Sequence, residues 1–148
     1  IWHSDILKNR SCFIELNCVW SESGKILDFE EMGEAELSKI KDKDSPKDLH
    51  QQSRKMVSKY SVATISLVDM LDKYDAPKHI DYLSVDTEGS EYAILNEFPF
   101  DKYTFGFISV EHNYTLNRDK IYNLLISKGY KRIYEDISLF DDWYIYSQ

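Results

Sequence analysis

Two carboxylates stand close together at a point in the chain where an apolar run stops. Residues 80–85 have the composition of a β-strand, and Asp86 and Glu88 follow directly. After Gly89, apolar residues recur at helical spacing, which places the acids on a turn between a strand and a helix. In open parallel sheets, ligands bind beyond the carboxyl ends of the strands. We therefore expect Asp86 and Glu88 to face a substrate, a metal ion or a cofactor.

A second polar group follows the next apolar run along the chain. Residues 104–110 predict a strand, and Glu111, His112 and Asn113 come directly after it. These side chains can bind metals, accept protons or hydrogen-bond a polar substrate. If the two strands are parallel neighbours, about 5 Å apart, this group lies close to the first pair of acids. The two strand ends then form one candidate site.

Each candidate residue has a structural interpretation beside the functional one. Asp86 could cap the turn that enters the helix, and Glu91 is the kind of acid that a helix dipole favours near an N-terminus. His112 is the better general-base candidate, because an unperturbed histidine titrates near pH ~6.5. Binding of a divalent metal by Asp86, Glu111 and His112 is compatible with these residue types, although no ligand spacing demands it.

Periodicity predicts the elements that hold these residues. Residues 12–20 and 25–29 are predicted as two strands of a hairpin, and 62–65 as a short strand before a helix that Ser66 caps. Residues 90–98 and a segment capped by Asn117 and ended by Gly129 are predicted helices. Two final strands, 130–135 and 139–146, predict an antiparallel hairpin. The pattern is α/β, with one mainly parallel sheet that ends in this hairpin.

The polar stretch 30–59 separates the first strands from the rest of the chain. We interpret it as a solvated connection, with a cover over the site as the alternative. Residues 49–60 could carry a helix within it. Trp143 is interpreted as a packing residue and not as a platform for stacking.

Length and composition narrow the class of protein. A chain of 148 residues suits a single domain over residues 1–148. Its formal net charge of -8 argues against nucleic acid as a partner. No apolar run is long enough for a membrane span. Cys12 and Cys18 would lie roughly 20 Å apart on one strand, so we expect reduced, buried thiols and a cytoplasmic location.

Five segments of the chain together resemble the FkbM-like family of S-adenosylmethionine-dependent methyltransferases. They are residues 62–71, the block from 80 to 91 that contains Asp86-Thr87-Glu88-Gly89-Ser90-Glu91, residues 110–113, residues 128–130 and residues 141–144. Their order and spacing agree with the family from about residue 7 to residue 146.

The resemblance implies a Rossmann-like fold and methyl transfer from S-adenosylmethionine to a hydroxyl oxygen of a sugar or related small molecule. It assigns Asp86, Glu88, Glu111, His112 and Asn113 to the catalytic side of the site. Asp86 would lie near the transferred methyl group or a metal-bound substrate oxygen. Ser21 is assigned to cofactor binding.

The chain departs from the family pattern at its start. The first strand and the glycine-rich cofactor loop should precede residue 7, so we interpret the chain as an incomplete fold, the C-terminal portion of a class I methyltransferase-like domain. Residues 12–20 then lack a neighbouring strand. An exposed strand invites pairing, which predicts a distorted edge or a homodimer completed through it.

Two other classes of protein stay open. Asp86-Thr87-Glu88 also fits an acid-x-acid pattern, in which two carboxylates hold a divalent cation against a diphosphate, as in a metal-dependent glycosyltransferase-type enzyme. A non-catalytic domain that retains the fold is the other alternative.

Overall fold

The fold is described here from a computed structural model, which covers residues 3–41 and 52–147. These residues form a mixed α/β structure with two four-stranded sheets. The helices are α1 (His3–Asn9), α2 (Leu67–Lys73), α3 (Glu91–Asn96) and α4 (Asn117–Ser127), with a short 3-10 helix at Ala35–Leu37. The strands are β1 (Cys18–Trp20), β2 (Ile26–Met32), β3 (Lys39–Ile40), β4 (Met56–Ser66), β5 (His79–Val85), β6 (Thr104–Glu111), β7 (Tyr130–Ile133) and β8 (Asp141–Tyr146).

The first sheet has the strand order β1-β4-β2-β3. β1 runs parallel to β4, with Trp20 opposite Ser66, whereas β2 is antiparallel to both β4 and β3. The predicted hairpin between residues 12–20 and 25–29 is wrong, because β1 and β2 both pair with β4 and not with each other. The prediction that residues 12–20 lack a neighbouring strand is wrong for the same reason.

β4 is longer than the sequence suggested. It extends over 11 residues and pairs with the whole length of β2. The predicted helix over 49–60 is therefore wrong for residues 56–60, and its first residues, 49–51, lie outside the described part of the chain. Val57, Tyr60 and Val62 are of β-branched or aromatic type, which favours strands, and pairing with β2 outweighs the local helical spacing.

The second sheet has the order β5-β6-β8-β7. β5 and β6 are parallel, as expected, and β7 and β8 form the predicted antiparallel hairpin. β8 also pairs antiparallel with β6. The expectation of one mainly parallel sheet is wrong, since both sheets are mixed. Parallel pairing requires a long crossover connection, and short connections favour antiparallel neighbours.

Helices α3 and α4 pack against one face of the second sheet. Their core contacts combine Ile94 and Leu95 of α3 with Ile121 and Leu125 of α4 and with the strand residues Val85, Ile108, Val110 and Tyr144. Val19 of β1 packs against the same core, so that the two sheets share it. None of the described helices is long and apolar enough to cross a membrane.

The helix termini follow the sequence expectations in part. The Asp69 amide donates to Ser66 Oγ at 3.1 Å, which confirms Ser66 as the cap of α2. Asn117 is the first residue of α4 and not its cap, because Leu116 occupies that position without a side-chain bond. Gly129 follows the end of α4 at φ +88°, in the left-handed conformation that favours glycine.

Both cysteines are free thiols, as predicted. Cys18 begins β1 and is half-buried, and burial raises the pKa of its thiol. Cys12 is exposed and precedes the strand, so the expectation that both are buried in one strand is wrong for Cys12.

Candidate functional site

The carboxyl ends of β5 and β6 meet at one edge of the second sheet. Val85 pairs with Val110 in the parallel register, so that Asp86 and Glu111 follow side by side. Carboxyl oxygens of Asp86, Glu91 and Glu111 all lie within 4.8 Å of one another. We call these three residues the acid cluster. Asp86 is exposed, Glu111 is half-buried and Glu91 is buried.

Glu111 is the group in this cluster whose protonation is most perturbed. Burial and the negative charges of Asp86 and Glu88, together with a hydrogen bond to Asp86 and the charge of Glu91, raise the pKa of Glu111 to about 9. Glu111 therefore keeps its proton at neutral pH and donates it to the Asp86 carboxylate.

Glu91 is the first residue of α3, and its carboxylate binds the turn before the helix. Its Oε1 accepts hydrogen bonds from the Thr87 amide at 2.8 Å, the Thr87 hydroxyl at 2.9 Å and the Gly89 amide at 3.0 Å. The Thr87 and Gly89 amides belong to the turn before α3, so these bonds satisfy backbone donors of that turn. The turn that carries Asp86 is thus held by a carboxylate of the next helix.

Glu88 points toward a different part of the molecule. It adopts φ +58°, which is uncommon for a residue with a side chain, and its carboxylate forms an ion pair with Arg54. The Arg54 and Glu88 side chains are only 7% and 10% exposed. Arg54 Nε also donates to the Leu37 carbonyl at 3.2 Å. Arg54 therefore connects the segment before β4 to the turn that carries the acids.

His112 is buried beside a second charged network. The Tyr114 amide donates to His112 Nδ1 at 3.0 Å, which makes Nδ1 the unprotonated ring nitrogen. Nε2 lies 3.6 Å from Asp142 Oδ1. Burial lowers the pKa of His112, although the charge of Asp142 opposes this. Both ring nitrogens thus face protein groups, and the role of His112 as general base stays a prediction.

Asp142 is the centre of that network. It is 1% exposed. Arg118 donates to its two carboxylate oxygens at 2.9 and 2.7 Å, and Arg132 lies 3.4 Å away. Burial alone would raise the pKa of Asp142, but the Arg118 hydrogen bonds and the neighbouring positive charges lower it overall.

Asn113 follows His112 after β6 and lies beside the acid cluster. It is buried, at φ +42°, and its Oδ1 has no hydrogen-bond partner within the described residues. Asn113 lines a cavity of about 10 Å³ together with Glu91, Glu111 and Thr115. A cavity of that volume accommodates roughly one water molecule.

Ser21 lies at the end of the other sheet. It follows β1, and its neighbours connect this turn to β4 and α2. Thr64 Oγ1 donates to the Glu22 carbonyl at 2.8 Å, and the Ser66 amide donates to Ser23 Oγ at 2.8 Å. The turn thus occupies the carboxyl end of a parallel strand pair, β1 and β4. The assignment of Ser21 to cofactor binding stays a prediction.

Sequence reasoning missed three residues that shape the site. Arg54 lies in a polar stretch without periodicity and offered no signal. Asp142 could have been found from the alternation of β8, which points it inward together with the buried Tyr144. The sequence indicates only that Glu91 is an acid near a helix N-terminus. The folded turn brings its carboxyl group close to those of Asp86 and Glu111.

The acid cluster has the chemistry of a site for a hard cation or for protons. Carboxylate oxygens are preferred ligands of Mg²⁺ and Ca²⁺. The acid cluster consists of Asp86, Glu91 and Glu111. Glu88, the second acid of the predicted acid-x-acid pair, is not one of its members. The same carboxyl groups can hold a shared proton and accept another from a substrate.

Comparison with known proteins identifies the family. A sequence profile described as "Methyltransferase FkbM domain" matches residues 10–145, which is nearly the whole chain. No curated protein and no solved structure matches the sequence significantly. The chain belongs to the FkbM methyltransferase family.

Proposed function

We propose that this protein transfers a methyl group from S-adenosylmethionine to a hydroxyl oxygen of a small molecule, a sugar or a related metabolite. The observation that carries the proposal is the position of Asp86 and Glu111, whose carboxyl groups lie together at the ends of two parallel strands within the family match. Methyl transfer to a hydroxyl requires positioning of the oxygen and removal of one proton.

Asp86 accepts that proton in the proposed reaction. It is the most exposed member of the acid cluster, so a substrate hydroxyl can approach it from the solvent. The Asp86 carboxylate would accept the hydroxyl proton as the substrate oxygen gains the methyl group, and the methyl carbon–sulfur bond of the donor would break to release neutral S-adenosylhomocysteine. Glu111, protonated at neutral pH, donates a hydrogen bond to Asp86 and fixes its orientation. Glu91 and Arg54 hold the turn in place through Thr87 and Glu88.

The residues present fit the proposed methyl donor in charge. When bound, S-adenosylmethionine supplies an electrophilic methyl group on a positively charged sulfur. The three carboxyl groups of the acid cluster lie within 4.8 Å of one another. Because Glu111 is protonated, Asp86 and Glu91 would supply the negative charge that suits a cation. Asp86, Glu91 and Glu111 would face the charged end of the donor, and Ser21 stays the predicted contact elsewhere on it.

The strand order of the second sheet supports a Rossmann-like methyltransferase fold. The last strand of the chain, β8, lies between β6 and β7 and is antiparallel to both. This agrees with the interpretation of β5 and β6 as the fourth and fifth strands of that fold and of β7 and β8 as its terminal hairpin. The catalytic assignments of Asp86, Glu88, Glu111, His112 and Asn113 belong to this proposal.

Calorimetric titration with S-adenosylmethionine and S-adenosylhomocysteine tests the donor, and transfer of radiolabelled methyl to a panel of monosaccharides tests the acceptor. Asp86→Asn should lower kcat by about a hundredfold or more, since it removes the proton acceptor. Asp81→Asn, at an exposed position on the same strand, is the matched control and should leave kcat unchanged. Absence of binding, or full activity of Asp86→Asn, would contradict the proposal.

The acid cluster favours a divalent cation as a second candidate occupant. A metal-dependent glycosyltransferase-type enzyme would then use Asp86 with Glu91 and Glu111 in addition to the acid-x-acid pair. Titration with Mg²⁺ and Mn²⁺ in the presence of a nucleotide sugar tests this. Cooperative binding of the metal and the nucleotide sugar, without affinity for S-adenosylmethionine, would favour the second candidate over the first.

The remaining expectations about partners and place belong to the same proposal. We propose that the chain acts on small molecules and not on nucleic acid, in keeping with its net charge of -8. We place it in the cytoplasm because its two thiols are free. A homodimer through an exposed strand edge is the proposed assembly. The edge concerned is that of β5, since β1 is paired with β4.

A further inference from the structure

A small cavity lies beside the acid cluster, between the segment that ends β6 and the turn that leads into α3. Its wall combines Glu111, Asn113 and Thr115 of the first segment with Gly89 and Glu91 of the second. With a volume of about 10 Å³, the cavity has room for one water molecule and for no organic ligand. Of the possible occupants, a single water molecule or a bare ion fits.

Asn113 is a buried polar residue of this wall with an unpaired acceptor. It is 4% exposed, and its Oδ1 has no hydrogen-bond partner among the residues that the structure describes. Its backbone amide is satisfied, since it donates to the Phe140 carbonyl at 3.3 Å. Buried acceptors are nearly always paired with a protein group or with ordered water. Asn113 Oδ1 therefore requires a donor from the cavity.

The charges around the cavity favour water over a divalent cation. Glu111 is protonated, and Asp86 does not line the cavity. Glu91 brings negative charge to the wall, but its Oε1 already accepts three hydrogen bonds. A divalent cation requires about six oxygen ligands, whereas a buried water requires about two to four polar partners. The Asn113 amide, the two carboxyl groups and the Thr115 hydroxyl offer that smaller number.

We propose that Asn113 is a positioning residue that binds one buried water molecule and, through this water, holds the acid cluster in place. The water donates one O–H to Asn113 Oδ1 and the other to a carboxyl oxygen of Glu91 or Glu111, the two cluster acids in the wall. It thereby connects the turn after β6 to α3, and Glu111 keeps the orientation in which it donates to Asp86. Because its side chain is buried, Asn113 acts through the water and not by contact with a substrate.

The water can be tested without a methyl donor, and only its effect on methyl transfer rests on the proposed function. The first measurement is a crystal structure of the whole chain at a resolution that shows ordered water, from crystals grown with EDTA and from crystals grown with Mg²⁺. We expect one density peak about 2.7–3.2 Å from Asn113 Oδ1 in both. A peak at about 2.1 Å that appears only with Mg²⁺ would identify a cation and overturn the proposal. An empty cavity in both crystals would overturn it as well.

Asn113→Gly tests the positioning role. Glycine adopts the φ of +42° at this position without strain, so the variant removes the acceptor and keeps the turn. We expect the NMR resonance of the Glu111 carboxyl carbon to shift and kcat to fall about fivefold to tenfold at unchanged KM, the effect of one lost hydrogen bond. The matched control is Asp75→Gly, at an exposed residue with φ +50°. It should change neither quantity.

The outcomes separate this inference from the proposed function. An unshifted Glu111 resonance in Asn113→Gly would overturn the positioning role even if the water is present. Equal losses of kcat in Asn113→Gly and Asp75→Gly would also overturn it, since the cause would then be the change of backbone. If the wild type transfers no methyl group while the water and the Glu111 shift are observed, the proposed function alone is contradicted.

Discussion

The perturbed protonation of Glu111 ties the candidate site to the stability of the fold. An acid whose pKa is raised in the native state binds an extra proton between its unfolded and native values, here from about 4.5 to about 9. In that window the native state holds more protons than the unfolded state, so stability falls as pH rises. Glu111 therefore lowers the free energy of unfolding at neutral and alkaline pH.

Glu111→Gln should remove this cost. The amide imitates the protonated carboxyl and still donates to Asp86, so the variant should be more stable than the wild type at pH 8 and about equal at pH 4. The half-buried position is partly screened by solvent, which limits the gain to about 1–2 kcal/mol. Urea unfolding at both pH values measures it. The control is Glu36→Gln, at an exposed position. An equal change in stability for the two substitutions would show that the raised pKa of Glu111 is not the cause.

At the scale of elements, Asp142 joins β8 to α4 and β7 through Arg118 and Arg132. Asp142→Asn keeps the shape of the side chain but leaves two arginines opposite an uncharged group. We expect a loss of about 2–4 kcal/mol of unfolding free energy in urea. Because the native pKa is lowered, the stabilisation is present above the unfolded pKa of 3.8 and is lost as pH falls through the native value.

The matched control for Asp142 is Glu135→Gln, which removes the more exposed partner of Arg132. It should cost less than about 1 kcal/mol, since exposed ion pairs contribute little. Equal losses for the two variants would show that burial of Asp142 does not decide its contribution.

The ion pair of Arg54 and Glu88 connects the entry of β4 to the turn after β5. Arg54→Met should lower the unfolding free energy by about 3 kcal/mol, because the buried Glu88 carboxylate loses the opposite charge of Arg54. Adding Glu88→Gln to Arg54→Met should recover part of the loss, and urea unfolding of the two single variants and the double variant gives the coupling energy. A coupling near zero would show that other contacts hold this turn.

The strand-turn-helix element around Asp86 could be predicted from the sequence because its signals are local. An apolar run, two acids, Gly89 and a helical period succeed one another within a few residues, and the structure has them in that order. The pairing of β4 could not be predicted, because β2 and β4 are joined across a polar stretch of ordinary composition. Arg54 was missed for a related reason. A single arginine acquires its role through a contact 34 residues away in sequence.

For the molecule as a whole, the unpaired edge of β5 is the feature that bears on assembly. This strand pairs with β6 on one side, and no other strand of the described residues pairs with it. Tyr82 and Ser84 are exposed there. A free edge of this kind is a template for another strand, whereas a net charge of -8 on each copy opposes association. Charge repulsion between exposed surfaces weakens as salt screens it.

We therefore expect a weak homodimer that strengthens from low salt to about 0.3 M salt, where the screening length is only several ångströms. Sedimentation velocity over a range of protein concentrations measures it. Ser84→Lys should abolish the dimer, because a long charged side chain on an edge strand blocks pairing, and Ser84→Thr should preserve it, because threonine suits a strand. A dimer that survives Ser84→Lys would place the interface elsewhere, and a chain that stays monomeric at every salt concentration would show that charge repulsion outweighs the pairing capacity of the β5 edge.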